Sequence, residues 1–307
     1  MIFFILHDIL VQGRQKQSIK IVPSTINIIG AGRVGKTIGK LFVKEPVGTV
    51  LGVFSRSDEN AKDAVAFIGQ GTPFCTLKDL PEADITFITT PDDAIEQTCR
   101  ILVASNCLKE NSLVVHCSGS LSSSAIAAAK ACNCAIASVH PMRSFADPNL
   151  SVAQYKGTYC AIEGEKKATE ILKVLFDSIG SITYPINSDK KEIYHAAGVF
   201  ASNYLIVIAK EALNCLDEAG VPSDVAFDLV ISLMSGTLNN LKETKVPENA
   251  LTGPIKRGDI KTIEKHLEAM PHNGLIKKLY SVAALSALKL TSLPKEKKDE
   301  VEKLLSR

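Results

Sequence analysis

The sequence predicts an α/β fold, a doubly wound and mostly parallel sheet followed by an all-helical C-terminal domain. Three observations lead there. From Thr25 to about Ile186 short apolar runs alternate with helical segments, the pattern of a parallel sheet covered on both faces. The first run, TINII, passes directly into Gly30-x-Gly32-x-x-Gly35, a turn that joins a strand to a helix. After Asn187 the strand-like runs stop and apolar residues recur at helical spacing.

Taken in order, strands are expected at 25–29, 49–54, 84–89, 112–116, 135–139, 158–162 and 182–185. Helices are expected between them at 36–43, 58–67, 93–105, 122–130 and 165–179. Ser188 is placed to cap a helix with no internal proline that runs to Ala219, where Gly220 and Pro222 stop it. At ~1.5 Å per residue this is a rod of roughly 45 Å. Further helices follow at 223–242, 259–270, 275–289 and 294–305. Their apolar faces exceed what one short bundle buries, so an interlocked homodimer is expected. The chain thus divides into an N-terminal extension (1–24), a nucleotide-type α/β domain (25–187) and a helical substrate and dimerisation domain (188–307).

Composition narrows the partners. A net charge of +2 gives no reason to expect nucleic acid or an anionic membrane surface. The start, MIFFILHDILV, is broken by His7 and Asp8, is too short to span a bilayer, and lacks the flanks of a secretory signal. Residues 1–24 therefore read as an extension outside the fold. None of the eight cysteines forms a CxxC pair, and Cys132-x-Cys134 has no second pair or histidine at zinc spacing. No metal site is expected, and free thiols in this number point to the reducing cytoplasm.

The glycine turn suits a dinucleotide. Gly30 permits the tight bend, Gly32 lets the backbone approach a pyrophosphate, and Gly35 lets the helix pack close. The backbone of Ala31, Arg33 and Val34 completes the cradle at the helix N-terminus. NAD-binding chains place an acid at the end of the second strand; here the positions read Ser55, Arg56 and Ser57. A guanidinium between two hydroxyls suits a 2′-phosphate, so NADP is expected rather than NAD. Thr89, Thr90 and Pro91, at another strand end, are placed to border the cofactor's ribose and phosphates.

The segments GAGRVG, VFSRS, FITTPDDAI, VVHCSGS, SVHPMRSF, HAAGVFASNY and LTGPIKRGD closely resemble those of a group of bacterial Rossmann-like, NADP-dependent oxidoreductase-like proteins with a helical C-terminal domain of uncharacterised function. The resemblance covers residues 25 to about 290. More distantly the layout is similar to β-hydroxyacid dehydrogenases, 6-phosphogluconate dehydrogenase, ketopantoate reductase and pyrroline-5-carboxylate reductase. It implies a Rossmann domain feeding a helical dimerisation domain. It also implies that Ser118 and Ser120 match a serine-containing loop that touches substrate in the β-hydroxyacid dehydrogenases. Those enzymes carry a Lys and, four residues on, an Asn on the helix after the sheet. If Asn203 matches that Asn, Val199 stands at the Lys position and the family proton donor is missing.

His195 is the expected substitute, a histidine with a pKa near neutrality, with a packed interdomain histidine as the blander alternative. An imine substrate, already activated when protonated, would ask less of the protein. His140 either lines the pocket or bonds backbone in its His-Pro turn, and His116 reads as structural. Arg143 and Arg257 are candidate substrate anchors, each with an ordinary loop or ion-pair role as the alternative. The expected function is NADP(H)-dependent hydride transfer to or from a small carbonyl or imine compound carrying a carboxylate, with a non-catalytic NADP-binding sensor as the competitor. Hydride exchange between NADP and a flavin is a third possibility.

Overall fold

The computed structural model describes residues 24–270 and 274–306, in two compact units that part between Phe200 and Ala201. The expected N-terminal extension lies, except for Ser24, outside the described residues.

The first unit is built on β1 (Ser24–Ile29), β2 (Gly48–Phe54), β3 (Thr72–Phe74), β4 (Ile85–Ile88), β5 (Leu113–His116), β6 (Ala135–Pro141), β7 (Tyr159–Gly164) and β8 (Ile182–Pro185). They form one sheet in the order β3-β2-β1-β4-β5-β6-β7-β8. Every neighbouring pair is parallel except β6 and β7. The order reverses between β1 and β4, which opens a crevice at their carboxyl ends. All four residues of β4 and of β5 are buried, as a strand covered on both faces requires.

The helices of this unit are α1 (Arg33–Lys44), α2 (Asp58–Ile68), α3 (Asp92–Ala104), α4 (Pro148–Ala153) and α5 (Lys166–Ser178), with α6 (Lys191–Ala201) running to its end. One face packs on α1 and α5, where Phe42, Phe87 and Phe176 meet with ring centroids 5.4 to 6.2 Å apart. The other packs on α3 and on a kinked 3-10 segment, Ser123–Cys132. The sheet and helices match the sequence expectation, with two additions. β3 is a three-residue edge strand with Pro73 at its centre, where a missing N–H does no harm. The other is α4, started by Asp147, whose side chain accepts from the Leu150 N–H.

The second unit holds α7 (Asn203–Glu218), α8 (Ser223–Thr244), α9 (Pro247–Ala250), α10 (Pro254–Arg257), α11 (Ile260–Ala269), α12 (Leu275–Leu288) and α13 (Lys295–Leu305). Its core is Ile255, Ile263, Leu267, Ala284, Leu288, Val301, Leu304 and Leu305. The expected straight rod from Ser188 to Ala219 is corrected. A 3-10 turn at Ser188–Lys190 leads into α6, and Ser202 leaves helical geometry (φ −127°, ψ −65°) before α7 begins. His195 and Asn203 therefore do not sit on one continuous helix. By length and composition Ser188–Glu218 is apolar enough to cross a bilayer.

Candidate active site

The βα turn is shaped by close approach. Gly30 adopts φ +116°, and a Cβ there would stand 2.8 Å from the carbonyl of Thr89. A Cβ at Gly35 would stand 2.3 Å from the Gly30 carbonyl oxygen and 2.6 Å from Thr89 Oγ1, which itself donates to that carbonyl at 2.8 Å. Gly32 differs: nothing lies within 4 Å of its Cβ position. It precedes α1, whose first turn has no acidic residue and whose N–H groups receive no side-chain cap. These donors face outward at the positive end of the helix, a seat for a phosphate. Ala31, Arg33 and Val34 complete the turn.

Beyond β2, Ser55 Oγ accepts from the Ser57 N–H at 3.4 Å, and Ser57 Oγ caps α2 through the Asn60 N–H at 3.3 Å. Arg56 between them is exposed. Beyond β4, Thr90 Oγ1 is buried without a hydrogen-bond partner, while Pro91 is exposed at the start of α3. A buried hydroxyl with no partner in the fold is costly until a water or a ligand atom bonds it.

The loop after β5 is held tightly. Ser118 Oγ donates to Asp92 Oδ2 at 2.8 Å and accepts from the N–H groups of Ser120 and Leu121 at 3.1 and 3.0 Å. Ser120 Oγ donates to the same carboxylate oxygen at 2.8 Å. The Ser118 hydroxyl is buried and fully employed, so its observed work is to shape this loop. His116, at the end of β5, is likewise saturated: Nε2 lies 3.0 Å from the Ser122 carbonyl and Nδ1 accepts from the Ser118 N–H at 3.2 Å. Burial first, and then the Lys191 charge, pulls its pKa down to about 4.

Lys191 is the residue that sequence reasoning missed. Its side chain is 2% exposed, and Nζ donates to the Ser118 carbonyl at 2.9 Å and to Ser138 Oγ, with Glu163 Oε1 at 3.7 Å. Glu163 in turn accepts from the Ser123 N–H at 2.7 Å and Oγ–H at 2.8 Å. Burial pulls the lysine's pKa down while the carboxylate opposes it. The ammonium thus ties β6, β7 and the post-β5 loop to the first turn of α6. A glutamate closing the otherwise apolar strand CAIEG was the signal available in the sequence, since a buried acid demands a partner.

One turn further along α6, His195 meets His140 from β6, with ring centroids 5.6 Å apart. Both rings press on Gly119: a Cβ there would stand 2.3 Å from His195 Nδ1 and 2.8 Å from His140 Nε2. His195 Nδ1 is buried without a partner. His140 Nδ1 lies 3.2 Å from Tyr194 Oη. Burial, followed by the His195 and Lys191 charges, lowers the His140 pKa to about 4 against the opposing pull of Asp92. The structure thus brings His140, His195, Ser118 and Ser120 together at the same sheet end as the Gly30 turn.

Arg143, expected as a substrate anchor, is engaged within the fold itself. The Arg143 guanidinium donates to the Gln154 carbonyl at 2.6 Å and to Gln154 Oε1 at 2.8 Å, leaving only Nε, buried and unpartnered. Those bonds tie the loop after β6 to the C-terminal end of α4 and take up the fork that a substrate carboxylate would need. Asn203 and Arg257 belong to the second unit, where both are exposed and Asn203 Oδ1 accepts from Ser202 Oγ at 3.0 Å. Among the described residues no three His, Cys, Asp or Glu side chains gather as a metal site, and Cys117, beside the loop, is pushed up to about 12 by burial.

With this geometry in view, comparison with known proteins places the chain. Residues 158–287 match the model of a domain of unknown function, DUF2520. A protein of Bacteroides fragilis provisionally described as an NADP oxidoreductase superposes with a TM-score of 0.73 at 23% identity, covering 88% of this chain and 99% of that one. Protein TM1727 of Thermotoga maritima gives 0.64 at 25% identity over 92% and 100%. The pyrroline carboxylate reductase of Plasmodium falciparum, solved with NADP bound, gives 0.58 at 12% over 92% and 98%. A sequence search of curated proteins gave no match. These likenesses establish the fold as a Rossmann sheet with a helical C-terminal region.

Proposed function

We propose that the protein is an NADP(H)-dependent oxidoreductase acting on a small carbonyl or imine compound that carries a carboxylate. The observation that carries this is the convergence of two imidazoles on Gly119 at the carboxyl end of β5, beside a βα turn shaped for a pyrophosphate. The uncapped start of α1, the open flank of Gly32 and the orphaned Thr90 hydroxyl fit a dinucleotide, and the bound nicotinamide would supply or accept the hydride. Likeness to proteins named for NADP and for a pyrroline carboxylate supports the same choice.

The chain's own residues supply the rest. Arg56 meets the 2′-phosphate. The Ser118–Ser120 loop, braced by Asp92 and Lys191, presents backbone beside the reacting carbon. His195 and His140 manage the proton that accompanies the hydride, a contribution of about 10²–10⁴-fold for a positioned acid. Asn203 and Arg257 are assigned to substrate. The exposed apolar side chains of the helical unit, Ile206 (70%) and Leu233 (68%) among them, are assigned to a second copy of the chain.

Two measurements test this. His195→Asn is expected to lower kcat about 10²-fold while NADPH binding is unchanged, with 2-keto acids, 3-hydroxy acids and cyclic imines as the substrate panel. If no panel member oxidises NADPH, the sensor reading replaces the enzyme. Arg56→Ala is expected to weaken NADPH by roughly 10- to 100-fold and leave NADH nearly untouched, because charge-assisted bonds to the 2′-phosphate are worth about 1.5–3 kcal/mol. Equal losses for both coenzymes would remove Arg56 from the phosphate site.

A further inference from the structure

Tyr184, Tyr194 and His140 form a hydrogen-bonded row. Tyr184 Oη donates to Tyr194 Oη at 3.0 Å, and Tyr194 Oη lies 3.2 Å from His140 Nδ1. A phenol has one proton to give. Since Tyr194 accepts from Tyr184, its own proton is free to go to His140 Nδ1, and the row runs in one direction when Nδ1 is the bare nitrogen of the neutral ring. The ring proton then resides on Nε2, the atom pressed against Gly119 opposite His195 Nδ1. The neutral state of His140 follows from its burial and from the groups that face it: His195, Lys191 and Tyr194 from α6, and Asp92 from the start of α3. At the other end of the row, Tyr184 lines a cleft of about 1040 Å³ together with Glu163, Asn187 and Asp189.

We propose that Tyr184, Tyr194 and His140 are a proton relay at the reactive heteroatom of the substrate beside Gly119, in which His140 Nε2, next to His195, gives up the proton as the row supplies one to Nδ1. This rests on the oxidoreductase reading. In the reducing direction each turnover consumes one hydride, from NADPH, and one proton, from solvent. The Nε2–H bond breaks as the heteroatom–H bond forms. Tyr194 passes its proton to Nδ1, Tyr184 passes its proton to Tyr194, and a water in the cleft reprotonates Tyr184. No imidazolate or free tyrosinate accumulates, because each group gains a proton as it loses one. Burial pushes the Tyr194 phenol far above its ordinary pKa, which keeps it a relay and never a resting anion. When product has left, water reaching the emptied site returns a proton to Nε2 while Nδ1 gives its proton back along the row, which restores the starting tautomer. A neutral imidazole donor of this kind delivers a proton without placing a cation beside Lys191.

The test is ¹⁵N-histidine NMR on the full chain at neutral pH, with Tyr194→Phe and Tyr184→Phe beside the wild type. Wild type is expected to show His140 protonated at Nε2 with a bare Nδ1, and Tyr194→Phe to show a mixture of the two tautomers. A wild-type ring protonated at Nδ1 overturns the proposal. With any panel substrate that is turned over, either variant is expected to lower kcat by about 10- to 100-fold with an altered solvent isotope effect and unchanged NADPH affinity. Unchanged turnover in both variants overturns the relay. Failure of the whole panel defeats the oxidoreductase reading instead, and the tautomer measurement still decides the direction of the row. Tyr184→Phe carries the test should Tyr194→Phe fail to fold.

Discussion

Glu163→Gln is expected to destabilise the protein by about 3 kcal/mol, and Lys191→Met by a similar amount. Both charged groups are buried, with the ammonium 3.7 Å from the carboxylate. Removing one partner leaves the other charge without compensation in a medium that solvates it poorly. The loss has a ceiling, because an abandoned Lys191 sheds its proton once burial alone sets its pKa. It also retains the Ser118 carbonyl and Ser138 as acceptors. The double variant Lys191→Met/Glu163→Gln removes both charges and is expected to recover most of the deficit, so the two single effects will not add. Urea unfolding followed by far-ultraviolet circular dichroism reads this out, the chain having no tryptophan to report by fluorescence. Single losses under about 1 kcal/mol, or strict additivity, would show that the pair is not a coupled unit. NADPH affinity need not change in these variants. Turnover should, because Nζ holds the carbonyl next to Gly119.

This pair also marks where the sequence stopped being readable. The Rossmann sheet was legible because its strands are apolar runs of the right length, and its turn because two of its three glycines, Gly30 and Gly35, stand where a Cβ would meet backbone at 2.8 and 2.3 Å. Lys191 was not legible. It lies in Asp189-Lys190-Lys191-Glu192, which reads as a solvated helix start, and only the fold shows that one of four neighbouring charges turns inward. His140 and His195 were each noticed alone, but nothing in their separation of 55 positions told that their rings meet over Gly119. The Ser118 hydroxyl that the sequence offers to substrate is engaged by Asp92 and two backbone donors, partners that only the fold reveals. The Arg143 fork is likewise engaged by Gln154, eleven residues on, the ordinary loop role that stood beside the anchor. The break at Ser202 left no trace in the pattern, because neither a proline nor a glycine marks it.

Acid is expected to weaken the protein across a window that ordinary carboxylates do not share. His116 and His140 each have a folded-state pKa of about 4, below the 6.5 of an unperturbed histidine. Between those values the unfolded chain takes up protons that the folded chain refuses, so stability falls as pH drops from about 6.5 toward 4 and is flat above that window. The cause at His116 is geometric as well as dielectric: its Nδ1 already accepts from the Ser118 N–H, and protonation would set two donors face to face. With about 1.4 kcal/mol lost for each pH step between the unfolded and folded pKa, each ring is worth roughly 3 kcal/mol at the acid end. A carboxylate in water titrates below most of this window. Asp84, whose bonds to Lys109 and Thr25 outweigh its burial, titrates lower still. Urea midpoints measured from pH 8 to 4.5 should therefore fall mainly through these two histidines. His140→Gln should remove about half of the slope, and histidine C2–H titration should show two rings that stay neutral at pH 5.5. Two ordinary titrations near 6.5 would mean that water reaches both rings, and would leave His140 unable to serve as a neutral donor beside Gly119.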